Sequence, residues 1–113
     1  MDRRDRAKLA EIIAHAETAK AYSATVSDLR ASEMVTDAVC MHLGQIGELA
    51  RADRVSRATQ DAIPSVPWAE LRGMRNRIFH DYGNVDVDVV IGIVEVDLPA
   101  LVTAIAEALR HDD

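Results

Sequence analysis

Residues 35–49, VTDAVCMHLGQIGEL, decide the fold class of this chain. Five positions in this stretch recur at alternating steps of four and three residues, which is the spacing of a helix face that packs against a partner helix. These positions are Val35, Val39, His42, Ile46 and Leu49. We expect the helix to begin near Ser27 or Ser32 and to run to about Asp53. The sequence therefore predicts helix-on-helix packing.

The composition of the chain also favours an all-α fold. Its 113 residues are 49% apolar, which is enough for one hydrophobic core, so we expect a single domain over residues 1–113. Aromatic residues make up only 4% of the chain, while Ala, Val, Leu and Ile are plentiful. Small aliphatic side chains suit closely packed helices.

Several features of the sequence predict a soluble, cytoplasmic protein. The single cysteine, Cys40, cannot form an intrachain disulfide, and the N-terminal stretch MDRRDRAKLAEI lacks the apolar core of a signal peptide. Glu95 and Asp97 interrupt the apolar stretch at residues 89–98, so we expect no membrane-spanning helix. The formal net charge of −6 argues against a broad nucleic-acid-binding surface, so any contact with nucleic acid must be local.

Two further helices and a connector are predicted around the central stretch. A first amphipathic helix covers Asp5 to about Ala21, where apolar residues recur at steps of three and four. Residues 56–71, SRATQDAIPSVPWAEL, contain two prolines among polar residues and predict a connector. A third helix should run from Trp68 to Asp81, with Pro67 in its first turn, and close at Tyr82-Gly83-Asn84.

The C-terminal stretch at residues 85–109 fits two secondary structures. Its β-branched residues favour a strand up to residue 96, but Gly92 interrupts the run and no second strand-like stretch could pair with it. We therefore interpret it as a helix with Asp86 as N-cap, breaking near Pro99 into a last helix through Leu109.

Residues 75–82, RNRIFHDY, lie in the densest group of hydrogen-bond donors in the sequence. On a helix, Arg75 and His80 point about 140° apart, so they converge only at a frayed helix end or with a second copy of the chain. Arginine binds phosphate bidentately, and a histidine can transfer a proton at neutral pH, so the pair suits metal-independent phosphodiester cleavage. From spacing alone, a structural role explains Arg75 and His80 better than a catalytic one: basic residues in the last turn of a helix stabilise its negative end.

The stretch Arg75-Asn76-Arg77-Ile78-Phe79-His80-Asp81-Tyr82 resembles the R-x4-H-x-Y motif of the HepT-like toxins in the HEPN superfamily. The resemblance covers nearly the whole chain, including Ile46-Gly47-Glu48 in the second helix and Asp97-Leu98-Pro99 in the tail. It implies an HEPN-like antiparallel bundle of four to five helices that forms a homodimer, with two motifs facing one groove. Gly92 departs from the family, where a larger side chain is expected, and it predicts a looser helical segment.

Specific roles for the motif residues also follow from this resemblance. Arg75 and His80 become the catalytic ribonuclease pair, with Asn76 in support, and no metal or cofactor is needed. Tyr82 becomes the residue that a cognate nucleotidyltransferase antitoxin adenylylates to silence the toxin, as in a type VII toxin–antitoxin module. RNA phosphate contacts are expected at Arg72 and Arg77.

Two other interpretations of the chain stay open at this point. The chain could be a non-catalytic helical module that accompanies a nucleotidyltransferase and positions its substrate, or a plain interaction bundle. Among the remaining residues, we expect His42 and Cys40 to be buried structural side chains. His15 and His111 are expected at polar positions without a functional role.

Overall fold

The structure, a computed structural model, describes residues 1–80 and 83–112. Within these ranges the chain is helical, and the one extended contact is an isolated antiparallel bridge between Phe79 and Val85. The all-α prediction is therefore confirmed.

Helices α1 (Arg3–Ser23) and α2 (Glu33–Leu49) form the centre of the fold. The Asp2 side chain caps α1, and Ser32 caps α2 by accepting a hydrogen bond from the Val35 N–H at 3.2 Å. Arg4 contacts the carbonyl oxygen of Asp53, and His15 contacts His42, so the two helices run antiparallel. Of the two predicted starts of the second helix, Ser32 is correct; the helix ends at Leu49, earlier than predicted.

The C-terminal third of the chain forms one continuous helical run. It consists of α6 (Val87–Gly92), a π-helical segment (Ile93–Asp97) and α7 (Leu98–Arg110), with Asp86 as N-cap as predicted. The predicted break near Pro99 is wrong. A proline ring collides with the carbonyl four residues back in an α-helix, and the wider π turn, in which the Leu98 N–H reaches the Ile93 carbonyl, relieves that collision.

This C-terminal run packs along α1. Its apolar composition differs from our expectation that no stretch of the chain is long and apolar enough to span a membrane. By length and composition, Val87–Arg110 is apolar enough to cross a membrane, although core helices of soluble proteins pass the same test. The expectation that Glu95 and Asp97 interrupt such a run is therefore wrong. Here one side of the run contributes side chains to the hydrophobic core, which also contains residues of α1 and α2: Val90, Ile93, Leu98, Leu101 and Ile105.

The predicted connector contains a short helix, α3 (Arg57–Ala62), which corrects the interpretation of this stretch as a linker. The helix is held in place by Asp5, whose buried carboxylate accepts hydrogen bonds from the Ser56 N–H at 3.0 Å and the Ser56 hydroxyl at 2.6 Å. The Thr59 hydroxyl donates to the same carboxylate at 2.6 Å. The helix thus depends on a residue from the start of α1.

The predicted third helix is divided into α4 (Trp68–Arg72) and α5 (Met74–Ile78), with Gly73 between them. Helix α5 ends at Ile78, so the predicted end at Asp81 is wrong: Phe79 is extended, with φ −99° and ψ 132°. The physical cause is a long-range hydrogen bond, because the Asp86 N–H donates to the Ile78 carbonyl at 2.7 Å. His80 therefore lies beyond the end of the helix.

Candidate active site

Two backbone hydrogen bonds position His80 beyond the end of α5. The His80 N–H donates to the Asn84 carbonyl at 2.6 Å, and the Gly83 N–H donates to the His80 carbonyl at 3.1 Å. Gly83 has φ +77°, in the left-handed region that favours glycine. The backbone of His80 is thus held by Gly83 and Asn84, while its side chain is 63% exposed.

The imidazole of His80 contacts the carboxylate that caps α6. His80 Nε2 lies 2.7 Å from Asp86 Oδ2, while Asp86 Oδ1 accepts a hydrogen bond from the Val89 N–H at 3.2 Å. The hydrogen bond from His80 is the main cause that holds the pKa of Asp86 below its ordinary value. The site therefore pairs an exposed imidazole with an ionised carboxylate.

The guanidinium of Arg75 lies against α2 at a position where the helix has no side chain. A Cβ placed on Gly44 would be 3.4 Å from Arg75 Nη2 and 3.5 Å from its Nε. Arg75 lines a shallow cavity of about 340 Å³ together with side chains of α2 and Phe79. Among the residues that the structure describes, Arg75 forms no ion pair.

Phe79 and Asp37 border a second cavity of about 450 Å³ as well as the first. Phe79 is 37% exposed and lies where the two cavities meet, next to both Arg75 and the His80 turn. The motif spacing did not point to Phe79 or to Asp37. An aromatic side chain next to an arginine is a common surface for a nucleobase and its phosphate.

The structure separates the other predicted phosphate contacts from this cavity. Arg72 Nη1 donates to Gln60 Oε1 at 2.9 Å and thereby joins α4 to α3. Arg77 Nη2 donates to Asp97 Oδ2 at 3.1 Å in the π-helical segment. Asn76 is exposed on α5. Of the three arginines, only Arg75 lines a cavity near Phe79 among the described residues.

The sequence places this geometry in a known family. The chain matches the family model “Ribonuclease HepT-like” over residues 12–108. It belongs to the HepT-like ribonuclease family. The HepT-like match includes α2, α5 and the complete motif stretch, so the predicted family resemblance is confirmed.

This HepT-like chain is also similar to an individual protein of known sequence. A protein of Methanocaldococcus jannaschii named “Putative RNase MJ1380” is 33% identical over 70 residues, which cover 62% of this chain and 62% of that protein. The match therefore spans less than two thirds of the relative's length. No solved structure matches the chain.

The sequence analysis also assigned roles to a tyrosine, a cysteine and two histidines. Tyr82, the predicted modification site, lies outside the described residues. Cys40 is buried, as predicted, and burial followed by the charge of Asp37 raises the pKa of its thiol to about 11. His42 is only half-buried, and its Nδ1 lies 2.9 Å from Nδ1 of His15. The described residues contain no group of three or more potential metal ligands among His, Cys, Asp and Glu.

Proposed function

We propose that this HepT-like chain is a metal-independent endoribonuclease whose catalytic pair is Arg75 and His80. The observation that carries the proposal is the family match over residues 12–108, which includes both side chains. Their surroundings support it, because Arg75 faces an open cavity and His80 is exposed next to the carboxylate of Asp86.

The proposed reaction is attack by the ribose 2′-hydroxyl on the neighbouring phosphorus. His80 takes the proton of the hydroxyl, the O2′–P bond forms and the P–O5′ bond breaks, while the departing 5′-oxygen takes a proton from water. Arg75 stabilises the negative charge on the phosphoryl oxygens, and Asn76 supports the pair. The products are a 2′,3′-cyclic phosphate and a 5′-hydroxyl end.

A homodimer is part of this proposal. Met34 is 80% exposed and Met41 is 53% exposed on the side of α2 that leads to Phe79, and large apolar side chains are usually buried. A second copy of the chain would cover these side chains and bring two motifs to one groove. Light scattering at micromolar concentration should give the mass of a dimer, and a monomer would contradict this part.

The biological role that we propose is that of a toxin in a type VII toxin–antitoxin module. A cognate nucleotidyltransferase antitoxin would adenylylate Tyr82, and the anionic nucleotide, two residues from His80, would repel RNA phosphates. Incubation with the antitoxin and ATP should add adenylyl mass to the peptide that contains Tyr82 and reduce cleavage. Tyr82→Phe should stay active and escape silencing; if it is silenced as well as the parent, the modification is not the mechanism.

A cleavage experiment distinguishes between two functions of the chain: a ribonuclease, and a non-catalytic module that positions the substrate of a nucleotidyltransferase. RNA is incubated in EDTA with the parent protein, with Arg75→Ala and with His80→Ala. The matched controls are Arg110→Ala and His111→Ala, which change the same residue types at the exposed end of α7. We expect both motif variants to lose activity on the order of 100-fold while both controls stay active. Equal activity of all five proteins would refute the assignment.

A further inference from the structure

Asp86 makes contacts that a helix cap alone does not need. Its Oδ1 caps α6 through the Val89 N–H, and its Oδ2 contacts His80 Nε2 at 2.7 Å. Its own N–H donates to the carbonyl of Ile78, the last residue of α5. The backbone of Asp86 is therefore fixed against the end of α5, and its carboxylate is held between the Val89 N–H and the proposed catalytic imidazole.

We propose that Asp86 is a positioning residue that fixes the Nε2–H tautomer of His80 and leaves Nδ1 as the proton acceptor. This inference rests on the proposed ribonuclease function. An ionised carboxylate can only accept hydrogen bonds, so the hydrogen in the short contact must be on His80 Nε2. A neutral imidazole carries one N–H, so the lone pair on Nδ1 is free.

The tautomer decides which nitrogen takes part in the reaction. Nδ1 removes the proton of the 2′-hydroxyl as the O2′–P bond forms and the P–O5′ bond breaks. The carboxylate of Asp86 balances the positive charge that develops on the imidazole. The departing 5′-oxygen takes its proton from water, and the hydroxide so formed takes the proton from the imidazolium, which restores the neutral ring.

The substitution Asp86→Asn separates the positioning role from the capping role. An amide oxygen can still accept from the Val89 N–H, and asparagine is a good N-cap, so α6 should keep its start. The amide nitrogen then faces His80 Nε2 as a donor, which requires Nε2 to become the acceptor and moves the hydrogen to Nδ1. The variant should therefore fold but hold the inactive tautomer.

Two measurements on the full chain test this inference. Long-range ¹H–¹⁵N NMR of the imidazole reports the tautomer without any RNA, and it should show Nε2–H in the parent and Nδ1–H in Asp86→Asn. The rate of RNA cleavage should fall on the order of 100-fold in the same variant with little change in KM. Asp2→Asn, which alters the cap of α1 in the same way, should change neither measurement.

The outcomes distinguish this inference from the proposed function. A parent His80 that carries its hydrogen on Nδ1, or a tautomer that Asp86→Asn does not change, would overturn the role of Asp86 whether or not RNA is cut. A changed tautomer with an unchanged cleavage rate would overturn the base role of Nδ1. A parent that cuts no RNA would overturn the proposed function, and the NMR result would still decide whether Asp86 sets the tautomer. Asp86→Ser, which keeps a capping oxygen, gives a second variant if Asp86→Asn fails to fold.

Discussion

The two glycines of α2, Gly44 and Gly47, should respond in opposite directions to substitution by alanine. A Cβ at Gly47 would lie 2.7 Å from the carbonyl oxygen of Leu71 and 3.2 Å from Cβ of Met74. A backbone carbonyl cannot rotate away, so α4 and α5 must move outward. A Cβ at Gly44 meets only the guanidinium of Arg75, at 3.4 to 3.6 Å, which is ordinary contact.

The expected free energies of unfolding follow from two terms. In both variants alanine gains about 1 kcal/mol over glycine in a helix interior. Overpacking against a fixed group costs about 3 kcal/mol at the upper end of its usual range, and this cost applies at Gly47 only. We therefore expect Gly44→Ala to be more stable than the parent by up to about 1 kcal/mol, and Gly47→Ala to be less stable by about 2 kcal/mol.

Thermal unfolding followed by circular dichroism measures the difference directly. A gap of about 3 kcal/mol corresponds to a difference in Tm of about 12 °C for a chain of this size. RNA cleavage should also fall in Gly47→Ala, because displacement of α5 moves Arg75, whereas Gly44→Ala should keep its activity. A Tm for Gly47→Ala equal to or above that of Gly44→Ala would refute the close approach of α2 and α4.

Three other predictions concern stability and reactivity. Asp5→Ala should lower the free energy of unfolding in urea by about 3 kcal/mol, because the hydroxyl and N–H of Ser56 lose their charged acceptor; an unchanged midpoint would contradict that contact. Burial, and then the charge of the neighbouring histidine, lowers the pKa of His42, so the unfolded chain binds this proton more readily. Stability should therefore decrease as pH falls below about 6.5, and His42→Gln should flatten this dependence while His111→Gln should not. Cys40 should react with iodoacetamide at neutral pH far more slowly in the folded than in the urea-unfolded protein, since its pKa is about 11; equal rates would show that the thiol is accessible.

Periodicity in the sequence predicted the long helices but not the contacts that end the short ones. The steps of three and four residues in α1 and α2 reflect a continuous buried face, which is a local property of the sequence. The end of α5 depends instead on a hydrogen bond from Asp86, and the position of α3 depends on Asp5, which lies 51 residues before Ser56. Such long-range contacts have no local signal. The π-helical segment could have been inferred from Pro99 in the sequence, but we interpreted this proline as a break between two helices.

The motif predicted Arg75 and His80 as the catalytic pair, but it did not predict the side chains that contact or surround them. Arg72 and Arg77 were grouped with the pair because they are near in sequence, but their partners are Gln60 and Asp97, on other elements of the fold. Asp86 was predicted only as a helix cap. Its contact with His80 depends on the backbone conformation at Gly83, which lets Asp86 reach a residue six positions earlier in the chain.

The chemistry of the RNA ends tests the central claim most directly. RNA cut by the parent protein in EDTA is analysed by mass spectrometry, next to RNA incubated with His80→Ala. If His80 activates the 2′-hydroxyl, the parent should leave 2′,3′-cyclic phosphate and 5′-hydroxyl ends, and the variant should leave almost none. Products with 3′-hydroxyl and 5′-phosphate ends, or equal amounts of cyclic phosphate from both proteins, would contradict the account.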